Sequence, residues 1–280
     1  MRVFFLMLFL LFFTACNDRD KEEIKIATNE WIGYAPIFYA NEKGWLKSDN
    51  IRLLRTVSLG ESLKLFKSGY VNSFCATQYE YQFAKDNVYP VILLDKSNGG
   101  DMILANKSLK KLLKSSKIDV YLEIESVNYL LLKYFAKKYN ISMDKFILHD
   151  FDQNTIYEEV ENKNNVIVVT YSPYDINFIK KGFIKIASSK EKDLLIIDAV
   201  FASKEISKIR FNNLKHYIDK AIEQLKKDPK EFFEVVKLYY KDYTYKDFME
   251  SLDGVKWINN PSKELLKIIK DKNIKTKSIL

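Results

Sequence analysis

The chain has 280 residues, 47% of them hydrophobic and 29% charged, with a formal net charge of +8. That length and apolar content exclude a disordered polymer and a small disulfide scaffold, and the two cysteines and two histidines (Cys16, Cys75, His149, His216) stand too far apart to form a local zinc cluster. Lysines alternate with acids instead of gathering on one stretch, so the pattern encodes no basic face for nucleic acid.

Arg2 precedes an apolar run from Val3 to Phe13 that falls short of the roughly 20 residues a spanning helix needs. It predicts a signal peptide over residues 1–15. Phe13-Thr14-Ala15-Cys16 followed by the polar Asn17-Asp18-Arg19-Asp20 resembles a bacterial lipobox. That resemblance implies lipidation of Cys16, an anchor on the extracytoplasmic face of a membrane, and a tether over residues 16–23. An ordinary signal cut nearby is the alternative. Cleavage leaves Cys75 as the one other cysteine, so the domain is stapled by packing and not by an intramolecular disulfide.

Beyond the tether, Ile24-Lys25-Ile26-Ala27-Thr28 reads as a strand, and Pro36 to Lys43 as a helix opened by proline and stopped by Gly44. The alternation continues with strands at 51–57, 71–76 and 91–94 and helices at 61–67 and 78–85. After Gly99-Gly100 the rhythm restarts: strands at 102–105, 118–122, 146–149 and 166–169, helices at 109–113, 127–139 and 155–162. Ser172-Pro173 opens a further helix, and 183–187 and 194–201 read as the last strands. From Asn213 onward the pattern is helical, with a boundary at Asp228-Pro229 and a stop at Asp253-Gly254. Two successive α/β units with a helical tail predict mostly parallel sheets in two lobes, crossed near Asn98 to Asp101 and near Asp198, with a ligand cleft where the connections diverge.

Several segments carry a family resemblance. They are Trp31-Ile32-Gly33-Tyr34-Ala35-Pro36 running on to Gly44-Trp45, Leu94-Asp95-Lys96-Ser97-Asn98-Gly99-Gly100-Asp101, Glu125-Ser126-Val127-Asn128-Tyr129, Val169-Thr170-Tyr171-Ser172-Pro173-Tyr174, Ile196-Ile197-Asp198-Ala199-Val200, and Phe248 to Val255. In this order they resemble the solute-binding proteins of ATP-binding-cassette importers in the nitrate/sulfonate/taurine group, related to binders of thiamine pyrimidine precursors. One departure stands out: Gly100 occupies a place where that pattern carries alanine. The resemblance implies a type II periplasmic-binding-protein fold, two α/β lobes joined by two crossover segments, with lobe 1 over 24–99 and 199–280 and lobe 2 over 100–198. It also implies capture of a small polar, zwitterionic or heterocyclic ligand without cofactor or metal, and delivery to an ABC permease powered by a separate ATPase. Signalling to a membrane receptor by the same motion is the second reading.

The residues themselves support a binding cleft. Trp31 and Tyr34 offer flat faces for a ring or a cation, or pack the lobe. Ser58, Gln78 and Thr77 sit at strand-to-helix turns and can hydrogen-bond a ligand or serve as N-caps. Asn128, Tyr171, Ser172 and Tyr174 surround helix starts across the cleft. Asp101 and Asp198 flank the crossings and can take an ammonium or an N–H-rich ligand, or hold the crossing backbone. Cys75 reads as a small buried hydrophobe. No nucleophile elbow or nucleotide-binding glycine fingerprint is present. The pyrimidine-synthesising enzyme that shares this fold needs a histidine donor and a cysteine-rich signature that this sequence does not contain, so the expectation is a binder and not an enzyme.

Overall fold

The computed structural model describes residues 23–191, 193–271, 274 and 277–280. The expected signal peptide, nearly all of the tether and Cys16 lie outside them. Among the described residues no helix is long and apolar enough to cross a membrane.

Two mixed sheets organise the chain. The larger contains β1 (Ile24–Thr28), β2 (Ile51–Arg55), β3 (Ser73–Thr77), β4 (Val88–Ser97), β10 (Ile197–Ser203) and β11 (Val255–Trp257), in the order β11-β4-β10-β3-β1-β2. The smaller contains β5 (Asp101–Ala105), β6 (Ile118–Leu122), β7 (Phe146–Asp150), β8 (Val166–Tyr171) and β9 (Ile184–Ser188), in the order β7-β6-β8-β5-β9. Each sheet has the same kernel. Three parallel strands, β2-β1-β3 or β7-β6-β8, are followed by one antiparallel strand, β10 or β5. Strands covered on both faces read as near-continuous apolar runs, and β3, β5 and β8 are buried at every residue, including polar Thr77 and Asp101 at strand ends.

The helices follow the capping chemistry of their first residues. Ser58 accepts from the Glu61 N–H to start α3 (Leu59–Lys67), after α1 (Ala35–Glu42) and α2 (Trp45–Ser48). Thr77 and Glu80 form a reciprocal box at α4 (Gln78–Tyr81). In the smaller lobe α5 (Leu109–Leu112) is a single turn, Ser126 caps α6 (Val127–Lys138), and Asp152 caps α7 (Gln153–Glu159). The helix expected at Ser172-Pro173 begins only at Asp175, as α8 (Asp175–Lys180). The C-terminal region folds back on the larger sheet as α9 (Asn212–Lys227), α10 (Pro229–Val236), α11 (Tyr245–Leu252) and α12 (Lys263–Asp271), with Asp228 capping the proline-opened α10. α9 and α10 pack on α1, where Tyr39 stacks on Phe232 at 4.6 Å.

The sheets are mixed and not mostly parallel, because β10, β4, β11, β5 and β9 pair antiparallel, and two further features differ from the sequence expectation. The tail is not wholly helical: after Gly254, β11 pairs antiparallel with Asp95–Ser97 and covers the edge of β4 that β10 leaves open. The return to the larger sheet is complete by Ile197, where β10 begins, so Asp198 lies inside that sheet opposite Thr77 and Asp95.

Candidate ligand site

The C-terminal ends of β1, β3 and β8 face one another where the two sheets meet. They enclose a cavity lined by Trp31, Asp101, Tyr171 and Asp198, together with Asn29, Leu59 and Thr77. Its free volume is about 10 Å3, room for roughly one water molecule. The halves touch all around it. The Ile32 N–H donates to the Ser172 carbonyl (3.1 Å) and Asn29 Nδ2 donates to the Tyr171 hydroxyl (2.9 Å). Lys64 pairs with Glu125 at 2.5 Å, and Tyr243 donates to Asp175 at 3.1 Å. The chain is therefore in a closed arrangement.

Of the sequence candidates, Trp31, Asp101, Tyr171 and Asp198 meet in this cavity. Tyr34 stands behind them, its hydroxyl donating to Asp198 Oδ1 at 2.6 Å. Ser58 is spent as the N-cap of α3. Gln78 holds the returning chain, accepting from the Ile197 N–H at 2.7 Å and donating to the Leu195 carbonyl at 2.6 Å. Asn128 is fully buried and accepts from Gln153 Nε2 at 3.0 Å, apart from the cavity lining.

Sequence reasoning passed over three acids. Asp95, buried inside β4, receives the Trp31 indole N–H at 3.3 Å to each carboxyl oxygen. Glu80 takes the Thr77 N–H and hydroxyl on one oxygen and, across the lobes, the Val127 N–H on the other (2.8 Å). Glu123 accepts from the Tyr171 hydroxyl at 3.0 Å. An acid placed within an apolar strand was the available signal for Asp95.

Burial dominates the electrostatics. It raises Asp101 to about 6 against a lowering bond from Ser97, and Glu123 to about 8 with Glu80 and Asp152 adding repulsion. Asp198 is pushed well up by burial and then by Asp95 and Asp101, with Tyr34 opposing; Asp95 is raised by burial and by Asp101. Among the described residues no group of ligands suits a metal ion.

The packing around Gly100 accounts for its departure from the alanine of the resembled pattern. A Cβ there would lie 2.4 Å from Cη2 of Trp31 and 3.0 Å from the Gly254 carbonyl oxygen, so the indole fills the space of the missing methyl. Cys75 on β3 is free and fully buried, and burial pushes its thiol pKa up. In the folded chain at pH 8 it is expected to resist iodoacetamide and to be alkylated only after unfolding in guanidinium. Peptide mass spectrometry checks this, and modification of the native chain would contradict the placement.

No protein-family model matches the chain, and no curated protein matches it by sequence. Solved structures do. The alkanesulfonate-binding protein of Xanthomonas axonopodis pv. citri, bound to MOPS, superposes with a TM-score of 0.73 at 11% identity over 89% of this chain and 90% of its own. The nitrate-binding protein of Synechocystis PCC 6803 gives 0.65 at 11% over 85% and 74%. A Candida albicans gene product described as having the generic periplasmic binding protein fold gives 0.63 at 16% over 88% and 84%.

The chain has the periplasmic-binding-protein fold. In this fold the cavity lies between lobes; Asn98–Gly100 joins β4 to β5, and the chain returns from β9 to β10. Both passages are held in place. Gly100 N–H and Asn98 N–H donate to the Gly254 carbonyl (3.2 and 2.7 Å), while the Ser97 and Ser189 hydroxyls lie 2.6 Å apart and so tie the outgoing chain to the returning one.

Proposed function

We propose that this chain is the extracytoplasmic solute-binding component of an ABC-type importer, anchored through a lipidated Cys16. It captures a small polar solute between a lobe built on the larger sheet and a lobe built on the smaller one, and presents the closed form to a permease driven by a separate ATPase. One observation carries this reading: buried polar side chains from both sheets converge on a cavity between halves joined through two short passages. The names of the superposing structures, alkanesulfonate-binding and nitrate-binding proteins, support the same class of role.

The closed arrangement has room for about one water, so entry of a solute requires the lobes to part. A ligand that moves the equilibrium from 1:99 to 99:1 must favour the closed state by about 5.5 kcal/mol. A few charge-assisted hydrogen bonds at roughly 1.5–3 kcal/mol each are of that size.

The test exposes the full chain, purified in detergent, to the small-molecule fraction of a cell extract. Native mass spectrometry is expected to show one retained solute, and the melting temperature is expected to rise by mass action. No retained mass together with an unchanged melting temperature would refute the function. Radiolabelled palmitate is expected in the wild type and absent from Cys16→Ser; equal labelling of both would remove the anchor.

A further inference from the structure

Hydrogen-bonding capacity around the cavity is lopsided. The side-chain donors there each make a hydrogen bond within the protein, Asn29 Nδ2 with one of its two hydrogens. The Trp31 indole N–H goes to Asp95, Asn29 Nδ2 to Tyr171, the Tyr171 hydroxyl to Glu123, the Thr77 hydroxyl to Glu80, and the Tyr34 hydroxyl behind the wall to Asp198. What remains is mainly acceptor. Asn29 is 1% exposed, lines the cavity, and its Oδ1 has no hydrogen-bond partner. Asp101 and Asp198 bring carboxyl groups into the lining from opposite sheets, and neither forms an ion pair with a lysine or arginine among the described residues. Trp31 and Tyr171 meet edge to face at 6.1 Å and supply the aromatic wall.

Building on the solute-binding reading, we infer that the ligand is a small organic cation bearing N–H donors, an alkylammonium or a protonated amino-heterocycle, whose charged group sits between Asp101 and Asp198 and donates to Asn29 Oδ1. Buried acceptors without partners are costly, and a donor-rich guest removes that cost. The aromatic faces attract the same charge. The space of about one water matches a single ammonium head. A sulfonate or nitrate would find two carboxyl groups that repel it once ionised and, among the described residues, no lysine or arginine in the lining to receive its charge. The cavity thus selects against the ligand chemistry named for the two bacterial binding proteins that share its fold.

The experiment titrates the full chain in detergent with propylammonium, benzamidinium and protonated 4-aminopyrimidine, and with methanesulfonate and nitrate at matched ionic strength. Binding is followed by calorimetry and melting temperature. At least one cation is expected to bind, the anions are not, and Asp101→Asn and Asp198→Asn are each expected to weaken the cation at least tenfold. Both variants keep side-chain shape, and circular dichroism verifies their folding. Should either fail to fold, Asn29→Leu, which removes the free acceptor without touching an acid, is expected to weaken the cation as well. Cation affinity unchanged in the folded variants overturns the inference, as does binding of methanesulfonate or nitrate with no cation bound. In the second case the solute-binding function stands. If no probe binds, the inference falls, and the extract experiment decides the function by itself.

Discussion

Raising the pH from 5 to 8 is expected to lower the melting temperature of the unliganded chain, by an amount on the order of 10 °C. The acids behind this trend are Asp101, raised to about 6, Glu123, raised to about 8, and Asp95 and Asp198, pushed well above their ordinary range mainly by burial. In the unfolded chain all of them ionise near pH 4. Between that value and the folded one, the folded state holds more protons than the unfolded state, so stability falls as pH rises. Above the folded value the loss is complete and the curve flattens. At 1.36 kcal/mol per pH unit, Glu123 alone accounts for about 4 kcal/mol between pH 5 and 8. For a chain of this size each kcal/mol corresponds to roughly 2–4 °C. Most proteins show the opposite slope over acid pH because their carboxylates are paired. Scanning calorimetry across the interval checks the sign, and Glu123→Gln should remove part of the slope. A melting temperature that is flat or rises toward pH 8 would show that these groups are ionised in the folded chain.

The second large effect concerns the passage between lobes. Gly100→Ala is expected to cost about 3 kcal/mol, the upper end of ordinary overpacking, because the new methyl meets Trp31 at 2.4 Å and the Gly254 backbone at 3.0 Å. Trp31 is 3% exposed and is tied to Asp95, so it has no free direction in which to move. Trp31→Phe removes the indole atoms that occupy the space. The double variant should therefore recover part of the loss, with a coupling energy of at least about 1 kcal/mol in a double-mutant cycle. Additive losses would mean that the indole is not what excludes alanine at this position.

The alternation of strand and helix was legible because parallel strands buried on both faces leave uninterrupted apolar runs, as at Val166–Val169, and helix starts carry side-chain caps, as at Ser58 and Ser126. β11 was not legible. Val255-Lys256-Trp257 has no strand signal of its own and is extended because the edge of β4 needs a partner. The site divides along the same line. Trp31, Tyr171, Asp101 and Asp198 stand at strand ends or crossings, where position alone suggests a cleft. Gln78 stands at such an end too, yet it holds Leu195 and Ile197, a role fixed by a segment far away in the chain. Glu80 and Glu123 escaped notice because one reads locally as the far half of a capping box and the other as the polar end of a strand. Only the meeting of the two sheets buries them.

The seclusion of Cys75 has a practical use. With Cys16 acylated, as proposed, and Cys75 shut away within β3, the chain offers a thiol-silent background for fluorescent dyes. Lys64 and Glu125 touch across the lobes, from the second half of α3 and the turn before α6. Lys64→Cys combined with Glu125→Cys would turn that contact into a molecular ruler, so that single-molecule energy transfer reads each opening and closing event directly.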